Sequence, residues 1–265
     1  MSGPWQLFVF DLDGTLLGED HALLPRATEV VAALRRRAQV TLATGRSLVS
    51  ARPFLDGLHI SIPAILYNGA MVYDPVGGRP RWDRRLPQAL ARRALEVARK
   101  FPVHPQLYRD WTEAAVVVSR VTPAIQAFLD KEQLPARQVG DLTAAIDGNP
   151  LKLLMVGEAP ALAELAAALQ AAVPELSVVQ SEQTYLEVLA PGTNKGAALS
   201  WLCDHLGVPP SAVVAVGDQR NDLPMIELAG LGVAMAHAPQ PVCDRADLVI
   251  ASVEELPCRL AAVGR

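Results

Sequence analysis

The sequence predicts an α/β protein with a doubly wound, Rossmann-like parallel sheet as its core and an inserted α+β cap domain. Three observations predict this class. Short apolar segments alternate with amphipathic helical segments in both terminal parts of the chain, which is typical of strand–helix–strand units and a parallel sheet. Between roughly residues 83 and 187 this alternation gives way to an irregular mixture. With 265 residues, 51% of them apolar, the chain is long enough for two modest domains.

The N-terminal part begins the parallel sheet. Residues 6–11 and 39–44 read as buried strands. Between them, Val30, Val31 and Leu34 fall on one face of a helix. This order of strand, helix and strand is the unit from which doubly wound sheets are built.

The C-terminal part supplies the other half of the sheet. A helix is expected after Lys195, followed by the buried strand 212–218, a short helix over 222–229 and two further strands, "LGVAMA" and "DLVIA".

In the N-terminal part, Asn68-Gly69 stands between two apolar runs, which is a strong hairpin signal. We interpret Asn68-Gly69 as a turn and assign it no chemistry.

The middle of the chain is predicted to be a separate lobe. The core is expected to comprise residues 1–82 and 188–265, and the cap residues 83–187. Within the cap the sequence predicts strands over 114–118, 151–156, 176–180 and 184–189, and helices near 87–100, 122–133 and 159–172.

Composition excludes several classes of partner. The net charge of −4 gives no basic footprint for nucleic acid, and the arginine-rich stretches 34–37 and 79–85 read as a solvated helix face and a polar connector. The three cysteines are too few and too widely spaced for a disulfide framework, so we expect a reducing, cytoplasmic location. We expect no signal peptide, because the N-terminus has no basic start and Asp11 interrupts its apolar run. We expect no membrane span, because no run of 18 apolar residues occurs.

Polar residues gather where the predicted strands end. Ligands of open α/β sheets bind at the carboxyl ends of the strands, so these residues are candidates for a common site. Carboxylate oxygens suit magnesium, whereas lysine, hydroxyl and backbone N–H groups suit a phosphate. The candidates are Asp11, Asp13, Thr15, Thr44, Gly45, Arg46, Asp218, Asn221 and Asp222, together with Lys195 at the start of a helix.

Each candidate taken alone has an ordinary structural explanation. Asp11 to Gly14 could form a turn with side-chain hydrogen bonds, "GDQRND" could cap the following helix, and Lys195 could be a surface lysine. Their combination, in this order and at strand ends, favours a site for a phosphate and a hard cation.

Four segments of the chain resemble the motifs of one enzyme superfamily. "DLDGTLL", "TLATGR", "NKG" and "GDQRNDLPM" are similar to the four motifs of the haloacid dehalogenase-like superfamily, and the insert resembles the cap of its Cof-type branch, type IIB. The chain departs from the pattern at Gln219-Arg220, where relatives often carry glycine and a small or acidic residue. Arg220 is therefore a candidate substrate contact.

The resemblance implies a role for each candidate. Asp11 would be the nucleophile that forms an aspartyl-phosphate, and Asp13 the general acid and base. Mg²⁺ would be held by Asp11, the backbone carbonyl of Asp13 and Asp218. Asp222 would orient Lys195 or metal-bound water. The groups expected to hold the phosphate or substrate are those of Thr44, Gly45, Arg46, Lys195 and Asn221.

The sequence thus predicts a phosphoric monoester hydrolase, a Mg²⁺-dependent phosphatase acting on a small phosphorylated metabolite such as a sugar phosphate. The expected partner is this substrate, without nucleic acid or membrane, and the chain is expected to be a monomer or small homo-oligomer. The cap residues considered first for specificity are Arg109, Trp111, Lys152 and Tyr185.

Two alternatives stay open at this point. A phosphomutase of the same superfamily uses the same intermediate but returns the phosphate to its substrate. A phospho-accepting receiver domain also combines an acidic pair, a threonine and a lysine on a parallel sheet. Receivers are compact, however, and here a whole lobe separates Thr44 from Lys195.

Overall fold

The computed structural model describes residues 4–18 and 20–263. The chain divides into two compact units. The first unit comprises Met1–Gly45, Ala51–Trp82 and Asn194–Arg265, and the second comprises Arg46–Ser50 and Asp83–Thr193. The exact boundaries of the predicted core and cap stay a prediction.

Strands and helices alternate along most of the described chain. The strands are β1 (Leu7–Phe10), β2 (Gln39–Leu42), β3 (Ala64–Leu66), β4 (Met71–Asp74), β5 (Arg79–Asp83), β6 (His104–Tyr108), β7 (Val116–Val118), β8 (Ala136–Gln138), β9 (Lys152–Val156), β10 (Ser177–Glu182), β11 (Tyr185–Leu189), β12 (Val213–Gly217), β13 (Leu231–Met235) and β14 (Leu248–Ile250). The α-helices are α1 (Ala27–Arg35), α2 (Leu48–Gly57), α3 (Gln88–Ala98), α4 (Pro123–Glu132), α5 (Ala159–Ala172), α6 (Lys195–Leu206), α7 (Leu223–Leu228), α8 (Gln240–Cys243) and α9 (Leu256–Val263).

A five-stranded parallel sheet forms the centre of the first unit, in the order β14-β13-β12-β1-β2. All four residues of β1 are buried, as expected for a central strand covered on both faces. Phe10 is in register with Val216 of β12 and with Leu42 of β2. The residues that follow these three strands therefore lie at the same edge of the sheet. The predicted fold class, a parallel α/β core with an inserted cap, is confirmed.

A small antiparallel sheet of β3, β4 and β5 adjoins this core in the first unit. The predicted hairpin is present, because β3 pairs antiparallel with β4 from Ala64↔Tyr73 to Leu66↔Met71. Tyr67–Gly69 form the short 3₁₀ turn between them.

The second unit contains a six-stranded sheet in the order β10-β11-β9-β6-β7-β8. One face carries Leu107, Leu153 and Leu186, which form a hydrophobic cluster with residues of α3 and α5. Because side chains alternate along a strand, their neighbours Lys152 and Glu187 lie on the opposite face.

Several elements of the second unit differ from the prediction. The helices lie close to the expected segments, but β6 was not predicted. Its sequence, His-Pro-Gln-Leu-Tyr, lacks apolar alternation, and it becomes a strand through pairing with β9 on one side and β7 on the other. Within the described part of the chain, no helix combines the length and apolarity needed to cross a membrane.

Candidate active site

The end of β1 places the first predicted carboxylate in the interior. The Asp11 N–H donates to the carbonyl of Val216 at 2.9 Å, which continues the parallel ladder one residue beyond the strand, and Asp11 is 5% exposed. The chain then turns at Gly14, where φ is +76°. A Cβ atom there would lie 2.3 Å from Asp218 Oδ2. Only glycine therefore allows the loop after β1 to approach the loop after β12.

Three carboxylates meet at this edge of the sheet. Ligand atoms of Asp11, Asp218 and Asp222 lie within 4.8 Å of one another, and all three residues are buried. Asp13 is more exposed, with its Oδ1 atom 3.8 Å from Nδ1 of His21. The structure therefore brings Asp11 and Asp218 together as the sequence predicted, and leaves Asp13 nearer the surface.

Lys195 is the buried cation of the site. Asn194 caps α6, its Oδ1 accepting from the Ala197 N–H at 2.8 Å, so that Lys195 is the first residue of the helix. Its Nζ lies 2.7 Å from Asp11 Oδ1 and 2.6 Å from Asp222 Oδ1. Burial alone would lower the pKa of Lys195, but the two carboxylates outweigh it and raise that pKa above its usual value. The ammonium group therefore remains charged at any physiological pH.

Negative charge still exceeds positive charge here. Burial, followed by the charge of Asp222, raises the pKa of Asp11 well above its ordinary value, although Lys195 opposes the shift. Burial and Asp222 likewise raise the pKa of Asp218 to about 6. Burial removes these carboxylates from water, and the neighbouring negative charge adds to the cost of ionising them.

Asp222 already has partners for both oxygens. Oδ1 is paired with Lys195, and Oδ2 accepts from the backbone N–H groups of Asp218 and Gln219, each at 2.9 Å. This carboxylate is thus suited to orient Lys195 and the loop that carries Asp218.

The donor set fits a hard divalent cation. Asp218 Oδ1 is buried and has no hydrogen-bond partner among residues 4–18 and 20–263. Its other oxygen lies 3.2 Å from Gln219 Nε2 and 3.5 Å from His237 Nε2. A buried carboxylate oxygen without a partner is costly, and Mg²⁺ prefers oxygen ligands of this kind. His21 and His237 lie outside the four motifs and were not among the predicted site residues.

Thr44 and Gly45 follow β2 at the same edge of the sheet. Thr44 is fully buried, and its N–H donates to the carbonyl of Ile65 at 2.9 Å.

Asn221 is also buried and donates from Nδ2 to Oδ1 of Asn68 at 2.9 Å. Thr15 is buried too, and its hydroxyl has no hydrogen-bond partner in the part of the chain described.

Asn68 is a member of this cluster that sequence reasoning missed. It lies in the turn between β3 and β4, which the sequence predicted, but this turn is buried rather than exposed to solvent. An Asn-Gly pair predicts a hairpin whether or not the asparagine side chain also belongs to a functional site. The signal that could have distinguished the two was the absence of solvating charged residues around the turn.

Arg46 and Arg109, two predicted substrate contacts, belong to the second unit. Arg46 is buried, with Nη1 3.5 Å from Oε2 of Glu132. Arg109 is paired with Glu113 and Asp147 and lines a cavity of about 450 Å³. Their part in binding substrate stays a prediction.

Two further cap candidates also have partners within the second unit. Lys152 forms a buried ion pair with Glu187 at 2.7 Å. The ring of Tyr185 lies 5.1 Å from Lys131 Nζ. Trp111 lies in the loop after β6 and is partly exposed. The role of these three residues in specificity also stays a prediction.

Comparison with known proteins identifies the family. A model of the family described as haloacid dehalogenase-like hydrolase matches residues 8–256. The HMP-PP phosphatase of Citrobacter koseri is 31% identical over 249 residues, covering 90% of this chain and 87% of that protein. A haloacid dehalogenase-like hydrolase from Bacteroides thetaiotaomicron, known from its crystal structure, is 26% identical, with a TM-score of 0.83 over 98% of this chain and 99% of that one.

The fold extends to a more distant structure. The subclass IIB sugar phosphatase BT4131 has a TM-score of 0.84 at 21% identity, covering 98% of this chain and 99% of its own. The receiver-domain alternative is set aside. The chain belongs to the haloacid dehalogenase-like hydrolase family, and it is a phosphatase of that family, as its four motifs predicted.

Proposed function

We propose that the protein is a Mg²⁺-dependent phosphatase that hydrolyses a small phosphorylated metabolite through an aspartyl-phosphate intermediate. The observation that carries this proposal is the buried carboxylate of Asp11, held at 2.7 Å by Lys195 Nζ within a cluster of three buried carboxylates. A rigid strand end fixes this nucleophile, and the charge deficit favours a bound cation.

Asp11 and Asp13 divide the chemistry. An oxygen of Asp11 attacks phosphorus in line and forms a P–O bond as the bond to the leaving oxygen breaks. Asp13 gives its proton to that oxygen and releases an alcohol. Asp13 then takes a proton from water, whose oxygen attacks phosphorus as the bond to the Asp11 oxygen breaks, so that phosphate leaves and the Asp11 carboxylate is restored. Asp13 lies nearer solvent than Asp11, which suits a group that must exchange protons with an alcohol and with water.

The other residues of the cluster position the substrate phosphate and neutralise its charge. Asp11, the backbone carbonyl of Asp13 and Asp218 would hold Mg²⁺, which when bound neutralises the charge that separates an anionic nucleophile from an anionic substrate. Thr44, the Gly45 amide, Asn221 and Lys195 hold the phosphoryl oxygens, where fixed donors favour the transition state. Asp222 keeps Lys195 in place.

The names of similar proteins support a class of substrate. The relatives described above are named for HMP-PP and for sugar phosphates, which supports a small phosphorylated molecule such as a sugar phosphate or similar phosphomonoester. A cytoplasmic location and a monomeric or small oligomeric state also remain proposals.

The test is the release of phosphate from p-nitrophenyl phosphate by purified protein with Mg²⁺. We expect turnover that EDTA abolishes and that Asp11→Asn lowers below detection. Asp13→Asn should lower kcat by roughly 10²–10⁴-fold without loss of Mg²⁺ binding. Turnover by Asp11→Asn would contradict the nucleophile assignment.

A screen of sugar phosphates then separates hydrolysis from mutase chemistry. A phosphatase releases inorganic phosphate from its preferred substrate. Conversion of one sugar monophosphate into its isomer, activated by a bisphosphate, would favour the phosphomutase instead.

A further inference from the structure

Asn68 occupies a strained turn in the first unit. Its φ and ψ are 54° and 34°, and it is flanked by Tyr67 at φ 52° and Gly69 at φ 93°. Three successive residues in the left-handed region are unusual, and a bulky tyrosine there is unfavourable. Strain of this kind persists only where surrounding contacts enforce it, and it is concentrated at ligand sites.

The contacts that enforce the turn are visible on both sides. The Asn68 N–H donates to the carbonyl of Thr44 at 3.0 Å. On the other side, a Cβ atom on Gly69 would lie 2.2 Å from the carbonyl oxygen of Asn194. The turn is thus fixed between the residues that follow β2 and the start of α6, where Gly45 and Lys195 lie.

The side chain of Asn68 is buried with one donor group unused. Asn68 is 1% exposed, and its Oδ1 accepts from Asn221 Nδ2 at 2.9 Å. Its own Nδ2 has no hydrogen-bond partner among the described residues. A Cβ atom built on Gly45 would lie 2.8 Å from that Nδ2, so the amide lies directly against Gly45.

An unpaired buried amide donor costs free energy that an acceptor would recover. Its neighbours Gly45 and Asn221 are the groups to which the proposed function assigns phosphoryl oxygens. We propose that Asn68 is a phosphate-binding residue, which donates from Nδ2 to a phosphoryl oxygen and holds Asn221 in position through Oδ1. This inference rests on the proposed function and adds a residue outside the four motifs.

The test compares two substitutions with a matched control. Asn68→Asp replaces the donor with an oxygen of nearly equal size, and Asn68→Gly removes the side chain while suiting the left-handed backbone. His59 is an exposed residue of the first unit with φ 51°, so His59→Gly relieves similar strain away from the site. Titration with inorganic phosphate in the presence of Mg²⁺ gives Kd, and p-nitrophenyl phosphate gives KM and kcat.

We expect Asn68→Asp to raise the Kd of inorganic phosphate tenfold or more, because a hydrogen bond to a charged group is lost and a repulsion is added. Asn68→Gly should raise it several-fold, while relief of the left-handed strain and loss of the hydrogen bond from Asn221 act in opposite directions on its Tm. His59→Gly should leave Kd, KM and kcat unchanged. Retention of wild-type phosphate affinity in Asn68→Gly and Asn68→Asp would overturn the inference, since the unused donor would then face only water.

Failure of this inference differs from failure of the proposed function. In the first case the wild type hydrolyses p-nitrophenyl phosphate and the Asn68 variants bind phosphate normally. In the second case the wild type itself shows no Mg²⁺-dependent hydrolysis.

Discussion

Each unit of the protein contains one deeply buried lysine beside a carboxylate, but the two lysines have different surroundings. Lys195 of the first unit and Lys152 of the second have side chains 1% and 3% exposed. Their Nζ atoms lie 2.7 Å from Asp11 Oδ1 and from Glu187 Oε2, respectively. Judged only by distance and burial, they are equivalent.

The balance of charge distinguishes them. Around Lys195, one cation faces the clustered carboxylates of Asp11, Asp218 and Asp222. Lys152 instead faces Glu187, and its Nζ lies 4.8 Å from the ring centroid of Tyr108.

The pKa of Glu187 is raised, as that of Asp11 is, so it is the number of carboxylates that distinguishes the two environments. Burial raises the pKa of its carboxyl group, and the charge of Lys152 opposes that shift. The excess of carboxylates around Lys195 suits a bound cation. The pair of Lys152 and Glu187 is balanced in charge and needs no ligand to explain it. We therefore expect Lys195 to serve activity and Lys152 to serve stability.

The largest effect is expected at Lys195. Lys195→Met should lower kcat by about 10²–10³-fold, the usual cost of removing one fixed charge donor from a reacting group. Circular dichroism and turnover of p-nitrophenyl phosphate measure fold and activity separately. Wild-type turnover in a folded Lys195→Met variant would contradict the expectation that Lys195 serves activity.

Breaking the pair in the second unit should act on stability. Lys152→Met leaves Glu187 buried without its partner, which typically costs about 3–5 kcal/mol in the free energy of unfolding. Denaturant titration measures this loss. The double variant Lys152→Met/Glu187→Leu should recover most of it, because neither charge then remains buried. A stable Lys152→Met protein with a raised KM would instead support the contact with substrate that the sequence suggested.

The smallest effect concerns Mg²⁺ as a stabilising ligand. At one hundred times its Kd, Mg²⁺ should raise the free energy of unfolding by about 2.7 kcal/mol. Thermal melts with and without EDTA should show this shift in the wild type and in any folded Lys152 variant, but not in Asp218→Asn. Without Mg²⁺, Asp218→Asn should melt above the wild type, since it removes one of the crowded carboxylates. An equal shift in Asp218→Asn would exclude Asp218 as a ligand.

The sequence predicts those parts of the site that depend on strand ends. Asp11, Thr44 and Asp218 each follow an apolar strand, and parallel pairing alone brings them to one edge. Lys195 was predicted as a candidate from its position at the start of a helix, and the structure shows that Asn194 caps that helix. Asn68 could not be found in this way, because burial of its turn depends on contacts with Thr44 and Asn194, which are distant along the chain.

The second unit shows the same limit. The sequence made Lys152 a candidate for specificity, but it could not show that Lys152 is buried against Glu187, whose position depends on the pairing of β11 with β9. β6 contains Pro105, a residue that is unfavourable within a sheet, but pairing with β9 and β7 outweighs this local preference. Pairing between distant segments is the information that single-sequence patterns lack.

The position of β1 has a consequence for biosynthesis. Its neighbours in the sheet are β2, made soon afterwards, and β12, which begins only at Val213. While the ribosome synthesises the residues between them, one edge of an entirely apolar strand lacks its partner, which favours aggregation. A nascent chain that stops before Val213 can contain Asp11 and still have neither the complete sheet nor Asp218.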